Sequence, residues 1–162
     1  MRVALHPVPD VPNAVGTVDG DILIAVGRGL HAGGRSFLPE DIGDALAEAV
    51  EVAGSALFGS DYLAPLARVL GLNRRSVVAD RVARNGLPDW ALHVLGYAAG
   101  HPTPRALGYL LMAAAELLDA EARDAPAATR RAELGTLARQ GLEDALALVE
   151  RARTMKLLPR SE

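Results

Sequence analysis

The feature that most constrains the fold is the stretch between residues 62 and 90, YLAPLARVLGLNRRSVVADRVARNGLPDW. A short apolar segment ends at Gly71, and a second segment compatible with a helix begins at Asn73 and ends at Gly86. Two helices joined by a glycine turn of this length pack closely and cross at a steep angle. The spacing therefore predicts a helix-turn-helix.

The first helix of this pair is expected to place its apolar side chains inward. Leu66 and Leu70 suit the core side, and Ala67 is small where the two helices would cross. Gly71 can adopt the positive φ that ends a helix, a conformation that costs other residues more. The sequence thus predicts that the second helix, residues 73–84, projects outward from the body.

The start of this second helix is rich in side chains that contact nucleic acid. Arginine donates to phosphate oxygens and to guanine, and asparagine and serine form similar hydrogen bonds. Apolar side chains on the same face can contact thymine methyl groups. The candidate DNA-binding residues are Asn73, Arg74, Arg75, Ser76, Val78, Ala79 and Arg81.

The segment LARVLGLNRRSVV, followed by NG and PDW, resembles the DNA-binding module of the lambda-repressor/Cro-like transcriptional regulators, over residues 42–99. The resemblance implies a homodimer whose recognition helices enter successive major grooves of double-stranded DNA. It also implies repression by occupying a promoter. The four helices that it implies are Ile42–Phe58, Leu63–Leu70, the recognition helix Asn73–Arg84, and Asp89–Ala99.

Asp80 departs from the pattern of that family, which buries an apolar or aromatic side chain three residues after the core valine, here Val77. A carboxylate is costly to bury without a partner. One alternative is that Asp80 pairs with Arg84 at the helix edge. The other is that the helix is rotated so that Val78 and Val82 point inward. Such a less polar surface also suits an alternative function, a protein-binding module of antitoxin or inhibitor type.

Charge is distributed unevenly along the chain. Six arginines and three aspartates between Asp61 and Arg105 give a local net charge of +3, whereas the chain of 162 residues carries −3. A basic module in an acidic protein is typical of phosphate contact through one face, although arginines often line solvated helix faces. The overall negative charge argues against indiscriminate binding to nucleic acid or to an anionic membrane.

The sequence offers no evidence for catalysis or for a bound cofactor. It has no cysteine, which excludes disulfides, thiolate zinc sites and cysteine nucleophiles. The four histidines lack the spacing of a metal pair, so we expect no metal site, no cofactor and no catalytic residue. A small enzyme that assembles its site from isolated residues stays a third hypothesis.

The expected location is the cytoplasm. Pro7 and Pro9 interrupt the amino-terminal segment before a signal-peptide core could form. The sequence also lacks the run of about 18 apolar residues that crosses a membrane, so no membrane association is expected.

Residues 1–38 are predicted to form a small β-hairpin or an extended arm. Prolines and glycines disfavour a helix there, and Asp19 with Gly20 is a typical hairpin turn. The glycine-rich residues 27–35 are predicted to be a flexible connector. If the arm touches DNA, its phosphate contacts are Arg28 and Arg35.

Two apolar helices are predicted after the break at residues 100–104. The first is apolar nearly all round between Ala106 and Ala115, so it must be covered on every side. The second, residues 127–157, carries apolar or small residues at alternating spacings of four and three, as in a coiled coil. This seam suits packing on the preceding helix or on a second copy, and we expect it to dimerise the chain. The seam residues are Leu134, Ala138, Gly141, Ala145, Leu148, Ala152 and Met155.

Taken together, these patterns predict a mainly α protein. The predicted fold is a helix-turn-helix bundle with a small amino-terminal β-hairpin or arm and two long carboxy-terminal helices. The predicted domains are the arm at 1–38, the DNA-binding domain at 39–100, and a helical hairpin at 103–158 that dimerises the chain.

Overall fold

A computed structural model describes residues 1–120 and 127–157 of the chain. The chain forms two compact units, Met1–Met112 and Ala113–Glu162. The strands described are β1 (Val3–Leu5), β2 (Ala14–Val18), β3 (Asp21–Val26), β4 (Gly29–Ala32) and β5 (Arg35–Phe37). The α-helices described are α1 (Pro39–Phe58), α2 (Leu63–Val69), α3 (Ala79–Asn85), α4 (Asp89–Ala99), α5 (Pro104–Ala120) and α6 (Ala127–Leu157), with a 3₁₀ turn at Arg74–Ser76 between α2 and α3.

The strands form an open antiparallel sheet in sequence order, from β1 at one edge to β5 at the other. The turn between β2 and β3 has Asp19 at φ 49° and Gly20 at φ 96°. Positive φ at both central residues matches the right-handed twist of the flanking strands, which confirms the predicted hairpin turn. Val3 pairs with Val18 across the first two strands, so a β-branched pair lies near the edge of the sheet.

The prediction of a mainly α fold with a small hairpin is wrong, because the five-stranded sheet is a substantial part of an α+β fold. The glycine-rich segment predicted as a flexible connector instead contains β4 and the start of β5. Leu30 and Ala32 of β4 are buried, at 5% and 6% exposure. A strand of four residues is too short for its alternation of apolar and polar residues to identify it in the sequence. Its burial depends on the layer that packs against it.

Sheet and helices share one hydrophobic core in the first unit, formed by a cluster of buried residues from Val3 to Ala98. Helix α1 packs against β1, α2, α3 and α4, and α4 packs against β1, β2 and β3. A small sheet is not stable by itself, so this shared burial stabilises it. Side chains at most 2% exposed in this core include Leu23, Leu46, Leu66, Val82 and Leu92.

The ends of the long helices follow local signals in the sequence. Helix α1 begins at Pro39, and the Asp41 carboxylate accepts a hydrogen bond from the Leu38 amide at 3.3 Å. It ends at Gly59, which adopts φ 87° and donates to the Ser55 carbonyl at 2.9 Å. The predicted bounds of α4 and α6 are confirmed. Trp90, in the first turn of α4, is 47% exposed.

Candidate nucleic-acid interface

The turn after α2 has the predicted construction. Leu66, Ala67 and Leu70 are buried, at 1%, 4% and 7% exposure. Gly71 adopts φ 61°, and the amide of Leu72 donates to the Ala67 carbonyl at 2.8 Å. This hydrogen bond closes the helix end in the manner of a glycine C-cap. The predicted glycine turn at the end of the first helix of this pair is therefore confirmed.

The predicted recognition helix, residues 73–84, is not continuous. After the 3₁₀ turn, Val78 adopts the extended conformation, with φ −72° and ψ 146°, and α3 begins at Ala79. Val77 and Val82 are both fully buried, at 0% exposure. Five residues apart on one α-helix, they would point about 140° away from each other. The break lets both valines face the core, and this explains why the prediction of one helix is wrong.

Asp80 is exposed, so the protein does not bury its carboxylate. The Arg84 Nε donates to the backbone carbonyl of Asp80 at 3.0 Å and not to the carboxylate. Val82 points inward and Val78 is half-buried. Of the two alternatives for this helix, the second is therefore correct for Val82, which points inward. The break in the backbone before α3 allows this orientation.

A cleft of about 360 Å³ lies beside the 3₁₀ turn and α3. It brings together four of the predicted DNA-binding residues: Asn73, Arg75, Ser76 and Arg81. Arg74 and Ala79 are exposed but do not line the cleft, and neither does Val78. The remaining lining residues are Arg28, Leu72, Asn85, Gly86, Leu87 and Pro88.

Arg28 reaches the cleft from the turn between β3 and β4. Its Nη1 donates to the carbonyl of Asn85 at 2.8 Å and to that of Gly86 at 3.4 Å. From the sequence, Arg28 is predicted only as a contact of a separate arm, because Arg28 and Asn85 lie 57 residues apart. Arg35, the other arm residue, stacks on the Phe37 ring at 4.9 Å and does not line the cleft.

Asp89 links the turn between β3 and β4 to the start of α4 by hydrogen bonds. Its carboxylate accepts hydrogen bonds from the backbone amides of Gly27 and Trp90, each at 2.7 Å. The Asp89 amide in turn donates to the Gly27 carbonyl at 2.7 Å. The bond from Gly27, and then that from Trp90, lowers the pKa of this carboxyl below its ordinary value of 3.8, because both bonds favour the ionised form.

Replacement of Asp89 by asparagine is expected to destabilise the fold in a pH-dependent manner. Because the pKa of this carboxyl is lower in the folded state, the ionised carboxylate stabilises the fold at pH values above the unfolded-state pKa near 3.8. This stabilisation is lost as the pH falls through the lower folded-state pKa. In urea unfolding, the midpoint of Asp89→Asn should lie below that of the wild type at about pH 7, and the gap should narrow below pH 3.8.

The control for this experiment is Asp80→Asn, since Asp80 is exposed in the same region. Its carboxylate accepts no hydrogen bond from any residue that the structure describes. The midpoint of this variant should follow that of the wild type at both pH values. An equal gap for Asp89→Asn at both pH values would contradict the role assigned to the ionised carboxylate.

The chemistry of the cleft suits an anion. Among the described residues, the guanidinium groups of Arg75 and Arg81 donate no hydrogen bond and join no ion pair. No acidic side chain of the described residues lines the cleft. Asn73 is fixed because its side chain accepts from the Arg75 amide at 2.9 Å and so caps the 3₁₀ turn. Each of these two unpaired guanidinium groups can donate two parallel hydrogen bonds to a phosphate or a carboxylate.

The described part of the chain holds no group of three or more histidine, aspartate or glutamate side chains placed to bind a metal ion. Within the same part, no helix combines the length and apolar character needed to cross a membrane. Fold and cleft together define an α+β protein with a basic surface cleft. No protein-family model, no curated protein and no solved structure matches the chain.

Proposed function

We propose that the protein binds double-stranded DNA through this cleft and acts in the cytoplasm as a transcriptional regulator of repressor type. The observation that carries the proposal is the pair of unpaired guanidinium groups, Arg75 and Arg81, beside Arg28 in a cleft without acidic lining. Three cationic side chains on one surface supply the phosphate contacts from which DNA affinity mainly arises.

The exposed basic surface extends beyond the cleft, which favours a polyanion over a small anion. Arg74 lies exposed on the 3₁₀ turn, and Arg84 lies exposed near the end of α3. A single phosphate cannot contact this whole surface, whereas successive phosphates of a duplex can. The only exposed carboxylate on α3 is that of Asp80, so the local charge stays positive.

Base recognition is expected to be limited in extent. Helix α3 has seven residues, and its exposed Ala79 is the candidate for a base contact in a major groove. Arg28, Arg75 and Arg81 are assigned to phosphate. Since phosphate contacts position the protein without reading sequence, most of the affinity should be independent of sequence.

The second candidate function, binding of a protein partner, is favoured by a different surface. Helix α4 exposes Trp90, Val94 and Tyr97, at 47%, 42% and 66%. These residues are spaced by four and three, so they form one stripe along the helix. Exposed aromatic residues of this kind are frequent at the centres of protein interfaces. A protein-binding module would use this stripe and leave the basic cleft unoccupied.

The proposal is tested by fluorescence anisotropy of labelled duplex DNA with the wild-type protein at two salt concentrations. With three phosphate contacts, affinity should fall about 40-fold between about 50 mM and about 200 mM salt, because each neutralised phosphate releases counterions. Absence of binding at the lower concentration, or binding insensitive to salt, would overturn the proposal. If a protein partner then co-purifies and Tyr97→Ala releases it, the second candidate function is the correct one.

A further inference from the structure

Arg28 is held in place more firmly than the other arginines that line the cleft. It is the second residue of the two-residue loop between β3 and β4 and follows Gly27, which adopts φ 62°. Glycine adopts this conformation in tight hairpin turns without strain. At the other end of Arg28, the side-chain Nη1 donates to the carbonyls of Asn85 and Gly86, at 2.8 Å and 3.4 Å. The backbone and the side chain of Arg28 are therefore both fixed.

Asp89 holds the backbone of this loop from the start of α4. Its carboxylate accepts a hydrogen bond from the Gly27 amide, and its own amide donates to the Gly27 carbonyl, both at 2.7 Å. Two opposed hydrogen bonds to one residue restrict both the position and the rotation of the loop. Asp89 itself does not line the cleft. It can therefore affect a bound anion only through the loop or through its charge.

The fixed guanidinium group of Arg28 keeps free donors. An arginine side chain has five N–H donors, of which Nη1 carries two. The contacts of Nη1 go to backbone carbonyls, which leaves the Nη2 and Nε donors without a partner among the described residues. A phosphate can accept two parallel hydrogen bonds from one edge of a guanidinium group. Arg28 can thus bind the protein backbone and a phosphate at the same time.

Arg28 differs from Arg75 and Arg81 in the cost of ordering its side chain. A long side chain that becomes immobile on binding loses conformational entropy, and a side chain that is already fixed avoids most of this cost. The guanidinium groups of Arg75 and Arg81 have no partner in the described part of the chain, so the anion itself must order them. We therefore expect Arg28 to contribute more affinity than either of them.

We infer that Asp89 is a positioning residue of the cleft, because it fixes Gly27 and thereby orients the Nη2–Nε edge of Arg28 toward a phosphate. This role deepens the proposed function and rests on it, since the cleft must bind phosphate. The sign of the expected effect separates positioning from simple electrostatics. Loss of a negative charge near a cationic cleft should strengthen phosphate binding, whereas loss of the link to Gly27 should weaken it.

The first test is the affinity of the full chain for labelled duplex DNA at neutral pH and low salt. Asp89→Asn should lower this affinity about 5-fold, from the ordering cost of one long side chain. The matched control, Asp80→Asn, removes the same charge from an exposed residue of the same region. The control should leave the affinity unchanged or raise it. Asp89→Asn protein that binds as tightly as Asp80→Asn would overturn the inference.

A double-mutant cycle distinguishes positioning from a general loss of structure. In the Arg28→Ala background, Asp89→Asn should cause no further weakening, because the side chain that Asp89 positions is absent. In the Arg75→Ala background, Asp89→Asn should still weaken binding about 5-fold. Urea unfolding and circular dichroism give the folded fraction of each variant. Equal losses in the two backgrounds would show a merely structural effect, and the positioning role would then be wrong.

A pair of charge-neutral substitutions tests Arg28 with Asp89 left intact. Arg28→Lys keeps the cation but loses the fork that contacts carbonyls and phosphate together. It should therefore weaken binding more than Arg75→Lys, which alters a side chain without such contacts. Equal losses for the two lysine variants would contradict the inference.

Inorganic tripolyphosphate, measured by calorimetry with the same variants, separates this inference from the proposed function. If the wild type binds tripolyphosphate with the expected order of effects but does not bind DNA, the proposed function fails and the role of Asp89 stands. If the wild type binds DNA but Asp89→Asn does not weaken it, only the role of Asp89 fails. Absence of binding to both anions would overturn both.

Discussion

Replacement of Arg75 and Arg81 together by alanine is expected to lower the affinity for duplex DNA by about 100-fold at low salt, if each contact contributes about 1.4 kcal/mol. Both guanidinium groups line the cleft and have no partner among the described residues. Their removal therefore leaves no buried group unsatisfied, and the fold should persist. Anisotropy titrations measure the affinity, and circular dichroism monitors the fold.

The salt dependence of the same variant gives a second measurement. Two lost phosphate contacts should reduce the slope of log affinity against log salt by about 2. The matched control removes two exposed arginines outside the cleft, Arg2 and Arg153, and changes the net charge by the same amount. If the control lowers affinity as much as the cleft variant, the effect arises from net charge alone and the cleft is not the site.

Replacement of Gly43 by alanine is expected to lower the free energy of unfolding by about 3 kcal/mol, at the upper end of the usual cost of overpacking. A Cβ on Gly43 would lie 2.0 Å from the Ala83 carbonyl oxygen, where α1 crosses α3. The Ala83 backbone cannot rotate away as a flexible side chain can, so α1 and α3 must move apart. Alanine favours a helix over glycine by only about 1 kcal/mol, which does not offset this clash. Urea unfolding measures the change.

The control for the packing experiment is Gly135→Ala in α6, where the nearest atom to an added Cβ is the Arg139 Nη1 at 3.8 Å. This substitution should leave stability unchanged or raise it slightly, as expected for a helical glycine with room beside it. Gly43→Ala should also weaken DNA binding, because α3 carries Arg81 of the cleft. Wild-type stability of Gly43→Ala would contradict the close crossing of α1 and α3.

Several helix ends, but not the start of α3, could be predicted because their causes are local. Gly71 ends α2 through a backbone preference of the residue itself, since it adopts a positive φ of 61°. The long α6 likewise follows from composition and period over many residues. Such signals act within one or two turns of the chain, so they hold whatever packs against them.

The cleft could be predicted only in part. The sequence predicts Arg75 and Arg81 as binding residues, and both line the cleft. Arg28 was named for a different reason, since only the packing of the β3–β4 turn against Asn85 brings it there. In the sequence, Arg28 is an arginine between two glycines in a loop. This pattern is common and does not indicate which residue the side chain contacts.

By itself, the sequence determined where α4 and α6 begin and end and which short turn joins α2 to the 3₁₀ segment, because proline, glycine and capping residues act on their own backbone. Only the tertiary structure decided the extent of the sheet and the break between Val77 and α3. Both depend on which side chains reach the common core: β4 becomes a strand when Leu30 is buried, and the helix breaks so that Val77 and Val82 are buried together.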